Sequence, residues 1–310
     1  MLRGMFLYLS SAGWARTFTT NFPLAQRATR RFVAGETVEA AIEATRRLNA
    51  KGLLASLDIL GENTHSEADA LRSTEAYLYL IDAIRAAQVQ TSCSLKLTQL
   101  GLDLGEEIAV KNLRRILEKA HDVGLDITID MESSEYTERT LRIYRMVRDE
   151  YGFKNVSTVI QAYLFRSADD MRALAQEGAH IRLCKGAYQE PPEVAFPEKV
   201  DVDANTVRIM KDFMRAENRA RGAYLMIATH DPNIIREAEE YIQANNIPSS
   251  EFEFQMLYGI RSTTQEQLAA RGYQMRVYVP FGMEWYPYFM RRLAERPANV
   301  WFILKNLVRG

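Results

Sequence analysis

Two cysteines, Cys93 and Cys184, are all that the 310-residue chain contains, and they lie far apart in apolar, strand-like runs. A disulfide framework or a cysteine-based zinc site is therefore not expected, and reduced, intracellular chemistry is the default. Long apolar runs are also missing: no stretch approaches the ~18 uninterrupted residues that would suggest a membrane span. The start, Met1-Leu-Arg-Gly-Met-Phe-Leu-Tyr-Leu, sets an Arg before a short apolar patch. Ser10, Ser11, Gly13 and Arg16 break that patch too early for a secretion signal. Nor is there an excess of one charge, since 39 Lys and Arg face 40 Asp and Glu. That balance gives no reason to expect nucleic acid and favours a small-molecule partner.

Several binding signatures are absent as well. No Gly-x-Gly-x-x-Gly follows a strand and no Walker-type loop occurs, so neither standard nucleotide cradle is available. His65, His121, His180 and His230 show no paired ligand spacing, and no metal site is expected. Asp201-Val-Asp203-Ala-Asn205 imitates the start of a calcium loop, but Thr206 stands where Gly is needed and Asp212 where the closing Glu belongs. An acidic helix N-terminus explains it better.

What the chain does contain is a repeated alternation. Residues 1–50 read as a helical lead-in, with helical apolar spacing over Thr37 to Leu48 and a stop before Gly52. From Leu53 onward, short β-prone runs alternate with helical stretches. The runs are Leu53 to Leu60, Ser92 to Leu97, Asp126 to Met131, Ser157 to Leu164, His180 to Cys184, Tyr224 to Thr229, Glu253 to Leu257 and Gln274 to Val279. Eight such units predict a (β/α)8 TIM barrel over 51–310, since a doubly wound sheet more often stops sooner. The stretch Glu190 to Val200, with Pro191, Pro192 and Pro197, reads as an irregular lid.

Each run ends in residues that ionise or hydrogen-bond, among them Lys96, Asp130, Gln161, Arg182, Lys185, Thr229, His230, Gln255 and Tyr278. In a barrel these residues converge at the carboxyl ends of the strands, where catalysis sits. Lys96 interrupts an apolar strand and must reach an anion or water; snorkelling to solvent is the alternative. Asp130 is the natural counter-charge for a basic site, or else part of a structural ion pair. Arg182 and Lys185, followed by Gly186-Ala187-Tyr188, put two cations beside a close-approach loop. That suits phosphates or developing negative charge, with a structural Arg as the rival reading. Farther on, Arg291 and Arg292 share a helix with Glu295, which lies within ion-pair reach of both. They can clasp one carboxylate, or form a solvated surface pair.

At this point the chain resembles the flavin-dependent proline dehydrogenases, including the catalytic domain of bifunctional proline-utilisation proteins. The motifs that carry the resemblance are Leu57-Asp-Ile-Leu-Gly-Glu62, Leu95-Lys-Leu-Thr-Gln-Leu-Gly101, Ile129-Asp-Met-Glu132, Gln161-Ala-Tyr163, Arg182-Leu-Cys-Lys-Gly-Ala-Tyr188, Ala228-Thr-His-Asp231, Phe254-Gln-Met-Leu257, Val277-Tyr-Val-Pro-Phe-Gly282 and Arg291-Arg-Leu-Ala-Glu295. They span the barrel region, and residues 1–50 match only loosely. The resemblance implies a distorted barrel that holds FAD at its strand ends, with Asp130 and Arg182 as the central catalytic pair. It implies FAD contacts from Met131, Gln161, Arg182, Lys185, Gly186, Ala187, Thr229 and His230. Lys96, Tyr278, Leu257, Arg291 and Arg292 would form the proline pocket, with Glu295 beside the arginines and Glu62 gating it through Arg291. Electrons would pass to a membrane quinone, from a cytoplasmic protein touching the inner face of the cell membrane through a helix bearing Phe6, Leu7, Tyr8 and Leu9.

Two other classes remain open on the residues alone. A Schiff-base lyase of the aldolase type would use Lys185 or Lys96 as its amine and the arginine pair for a carboxylate. A non-catalytic interaction module would have no use for so many polar strand ends converging on one mouth.

Overall fold

Side chains along a strand point alternately to opposite faces, and here the two faces differ in kind. One face carries Leu57, Cys93, Leu95, Ile127, Ile129, Ile181, Leu183, Leu225, Ile227, Phe252, Phe254, Val277 and Val279, all buried in a single apolar cluster. The other carries Ser56, Asp58, Ser94, Lys96, Thr128, Arg182, Glu253 and Gln255, buried as well but polar. The computed structural model describes residues 31–61 and 64–295, with the side chains from 291 onward outside the description.

The strands are β1 (Leu54–Ile59), β2 (Thr91–Leu95), β3 (Ile127–Ile129), β4 (Val156–Gln161), β5 (His180–Cys184), β6 (Tyr224–Ala228), β7 (Phe252–Leu257) and β8 (Met275–Phe281). All eight pair in parallel and close in chain order, with β8 returning to β1 through the register Leu57 to Val279. The expected (β/α)8 barrel is therefore the observed fold. Its helices are α1 (Val38–Asn49), α2 (Glu67–Ala87), α3 (Glu106–Asp122), α4 (Ser134–Arg145), α5 (Ser167–Gln176), α6 (Lys199–Phe213), α7 (Ala216–Arg219), α8 (Pro232–Ala244), α9 (Ser262–Ala270) and α10 (Trp285–Glu295). No helix among the described residues is long and apolar enough to cross a membrane.

The apolar strand faces pack outward onto the helices, meeting Leu80 and Ile81 of α2, Leu113 and Ile116 of α3, Leu174 of α5, Phe213 of α6 and Ile235 of α8. Each fully buried aliphatic or aromatic side chain contributes about 1.5–3 kcal/mol, so this outer shell supplies most of the stability. Local signals set the helix starts. Thr37 accepts from the Ala40 amide at α1, Ser66 from the Asp69 amide at α2, and Asp231 from the Asn233 amide at α8, where Pro232 occupies the first turn. Gly178 closes α5 with φ +66°, and a Cβ there would stand 2.2 Å from the Arg221 carbonyl oxygen.

Two helices depart from a simple repeat. α1 packs against β1, β8 and α2, so a segment that reads as a lead-in fills the place in the outer ring between the last strand and the first. α10, free of that place, turns over the strand ends: Tyr288 faces the cavity there, Trp285 Nε1 donates to Glu36 Oε1 at 3.2 Å, and Phe289 packs against Phe32. The proline-rich stretch is also better anchored than its composition suggests. The Phe196 amide donates to the Tyr163 carbonyl, the Phe165 amide to the Val194 carbonyl, and α6 already begins at Lys199. Glu190 accepts from the Ser134 amide at 2.7 Å, which fixes the stretch to the start of α4.

Candidate active site

The polar strand faces point into the barrel, where bonds between non-adjacent strands cross the lumen. Arg182 on β5 reaches four partners: Asp130 beyond β3 (Nη1 to Oδ1, 2.6 Å), Gln255 on β7 (Nε to Oε1, 2.6 Å), Ser94 on β2 (2.9 Å) and Ser56 on β1 (3.5 Å). A guanidinium has five N–H donors, and four are engaged in these bonds. Asp130 also accepts from the Tyr278 hydroxyl at 2.8 Å, and the Tyr278 ring lies 5.3 Å from the guanidinium carbon. Burial, with Asp130 and Asp58 close by, pushes the Tyr278 phenol well above its ordinary pKa, so it stays a neutral donor.

Lys96 stands 3.4 Å from Asp58 and 4.0 Å from Asp130. Asp58 is almost completely buried. Burial raises its pKa despite the opposing pull of Lys96, and the nearby Asp130 charge raises it further. The cluster thus sets two cations, Lys96 and Arg182, against two carboxylates, Asp58 and Asp130. Lys96 and Arg182 supply the kind of charge that a carboxylate substrate or a developing negative charge requires.

Around this cluster lies a cavity of about 550 Å³ at the carboxyl ends of the strands. Lys96, Asp130, Met131, Gln161, Arg182, Lys185, Gly186, Ala187, Thr229, His230, Leu257 and Tyr278 all line it, so the structure gathers the described sequence-based candidates in one place. Glu62 lies outside the described residues, as does the segment with Phe6, Leu7, Tyr8 and Leu9. Arg291, Arg292 and Glu295 fall on the last turns of α10, with their side chains outside the description.

The far wall is built differently. Gln161 spends its amide on the protein: Nε2 donates to the Glu132 carbonyl at 2.8 Å, and Oε1 accepts from the Ala187 amide at 2.9 Å. It thereby fixes the loop after β5. Gly186 in that loop has φ +131°, and a Cβ would stand 2.5 Å from the Tyr163 ring, so only glycine lets the backbone pass. Lys185 pairs with Asp203 at 2.5 Å and Asp231 at 2.7 Å, and Lys199 joins the same two carboxylates. The Asp231 carboxyl is held down at about 2: its burial opposes this, but the Lys185 and Asn233 hydrogen bonds and the lysine charges outweigh it. His230 Nε2 accepts from the Leu257 amide at 2.9 Å, which leaves Nδ1 to carry the proton of the neutral ring.

Two buried carboxylates of the lumen, Asp58 and Glu253, carry no role in the sequence reading. Asp58 sits in Leu54-Ala-Ser-Leu-Asp-Ile, where Ser56 and Asp58 recur at a spacing of two among apolar residues. That alternation marks one polar and one apolar strand face. Glu253 and Gln255 show the same spacing on β7. Both cationic amines proposed for Schiff-base chemistry are ion-paired to two carboxylates each, rather than standing as single amines beside a substrate space.

Comparison with known proteins shows what the whole chain is similar to. Residues 41–305 match the model of the family described as Proline dehydrogenase. The chain is 45% identical over 309 residues to Proline dehydrogenase 1 of Bacillus subtilis, covering all of both chains. It is 42% identical over 283 residues to Proline dehydrogenase of Deinococcus radiodurans, covering 90% of each. Among solved structures, proline utilization A from Bdellovibrio bacteriovorus inactivated by N-propargylglycine superposes with a TM-score of 0.82 at 25% identity. That match covers 94% of this chain and 36% of the larger one.

Proposed function

The chain belongs to the proline dehydrogenase family, and from that premise we propose that its cavity holds FAD and oxidises L-proline to 1-pyrroline-5-carboxylate, the first step of proline catabolism to glutamate. The observation that carries this reading is the Arg182, Asp130, Lys96 and Tyr278 cluster set against an apolar-walled cavity.

The residues fit the cofactor. Met131, Val159, Ala228, Met256 and Leu257 offer apolar walls to a flat ring system, and Lys185 and Lys199 stand on the side suited to phosphates. Gly186 and Ala187 bring backbone against the same space. Met131, Gln161, Arg182, Lys185, Gly186, Ala187, Thr229 and His230 would hold FAD. When bound it supplies a two-electron acceptor for the hydride on the proline ring carbon next to nitrogen.

The chain's own side chains do the rest. Arg291 and Arg292 would clasp the proline carboxylate, with Glu295 and Glu62 positioning them and Lys96 adding a third positive charge. As the carbon-nitrogen double bond forms, the ring carbon gives up its hydride with both bonding electrons, and the ring nitrogen releases a proton to solvent, so negative charge would build beside Arg182. Arg182, oriented by Asp130, stabilises that charge. Tyr278 and Leu257 pack against the ring and leave little room for a hydroxyl, which favours proline over hydroxyproline. Electrons would leave to a membrane quinone through peripheral contact with the bilayer.

Purified protein tests the reading. It should be yellow, or take up added FAD, and lose that colour anaerobically when L-proline is added. Protein that is colourless and does not take up FAD, or bound flavin indifferent to L-proline, would refute it.

A further inference from the structure

Below the mouth, the lumen holds a second Arg–carboxylate pair with no part in the chemistry described above. Arg276 on β8 grips Glu253 on β7 with two parallel bonds, Nε to Oε1 at 2.7 Å and Nη2 to Oε2 at 3.0 Å. It is held in turn by the Ala55 carbonyl oxygen at 2.9 Å. Gln255 joins this pair to the mouth: Nε2 donates to Glu253 Oε1, and Oε1 accepts from Arg182 Nε.

We propose that Gln255 is a positioning residue, tethered from below by the Arg276-clamped Glu253 and fixing from behind the direction in which Arg182 presents its guanidinium to the mouth. The chemistry of the partners leaves the amide one orientation. An ionised carboxylate only accepts, so it takes the amide N–H; a guanidinium only donates, so it takes the amide oxygen. All three groups are buried, and in a low-dielectric lumen a mispaired polar group is costly, so the chain is stiff. Arg182 is thus fixed on three sides: Asp130 at the front, Ser94 on a flank and Gln255 behind. Without the rear contact the guanidinium can swing about its last bonds, and a small displacement from the reacting atoms costs rate.

This inference rests on the flavin reading above, and its test separates the two. FAD-loaded wild type and Gln255→Met are compared for flavin midpoint potential, for kcat and KM with L-proline, and for thermal midpoint. The expected result is a tenfold poorer stabilisation of reduced over oxidised flavin, about 30 mV more negative for a two-electron couple. A drop in kcat of at least fivefold should accompany it, with KM unchanged. The double variant Glu253→Leu/Arg276→Met, which replaces the lower pair by apolar groups and keeps Gln255, should shift the potential in the same direction by less. Glu253→Gln, close to native in shape, supplies the same comparison should either variant not fold. Folded, flavin-loaded variants with wild-type potential and kcat would overturn the proposal, even if their thermal midpoints fall, because lost stability alone shows a merely structural role. Wild-type protein that takes up no flavin, or is not reduced by L-proline, would overturn both readings.

Discussion

The barrel lumen contains two largely buried Arg–carboxylate pairs built to different plans. At the floor, Arg276 and Glu253 meet fork to fork, with Glu253 almost wholly buried. At the mouth, Arg182 gives Asp130 only one short bond and distributes its other donors to Gln255, Ser94 and Ser56. Asp130 in turn is shared by Arg182, Tyr278 and, more distantly, Lys96. A bidentate pair satisfies itself and holds strands together. A pair spread over many partners holds a charge in place while leaving its outer edge open to a ligand. Under the proposed function, the same two residue types would serve mainly cohesion at one end of the lumen and mainly chemistry at the other.

Substitutions at the two ends sharpen this contrast. The largest effect is expected at the floor: Arg276→Met leaves Glu253 buried and uncompensated and should cost about 3–5 kcal/mol in chemical denaturation. A loss below about 1 kcal/mol would make the floor pair dispensable. At the mouth, Arg182→Met should slow flavin reduction by about 10²–10³-fold while costing less stability than the floor substitution. If the two variants exchanged phenotypes, the contrast would be broken. Arg292→Ala should raise the apparent KM for proline at least about tenfold, since a lost charged hydrogen bond costs about 1.5–3 kcal/mol. An unchanged KM would move Arg292 away from the substrate.

The smallest effect concerns pH at the rim. The Asp231 pKa is lowered from 3.8 to about 2, so its pairing with Lys185 and Lys199 stabilises the fold above the higher value. That contribution is lost as pH falls through about 2. In acid unfolding, Asp231→Asn should therefore lose less stability than wild type between these limits. Superimposable acid profiles would show that the rim pairing contributes nothing.

Much of this architecture is legible in the sequence because the strands carry two signals at once. The apolar residues at alternate positions, such as Leu57, Cys93, Leu95 and Ile127, announce buried strands, and the intervening helices announce parallel crossovers. Lys96, Asp130, Gln161, Arg182 and His230 stand out because they end those runs. Asp58, Glu253 and Arg276 are harder to see. A polar residue inside a strand has the same spacing whether its face meets water or a closed lumen, and only the barrel's closure decides between them. The position of α10 was hidden for a related reason. Periodicity gives a helix its apolar stripe but not its docking site, and α10 crosses the mouth only because α1, from the other end of the chain, fills its place in the ring.

The most direct test of hydride removal at the mouth uses L-proline deuterated at the ring carbon next to nitrogen. In an anaerobic single turnover, loss of flavin colour should be several-fold slower with the labelled substrate than with ordinary L-proline. Equal rates for the two would contradict the assignment of that carbon-hydrogen bond as the one broken there.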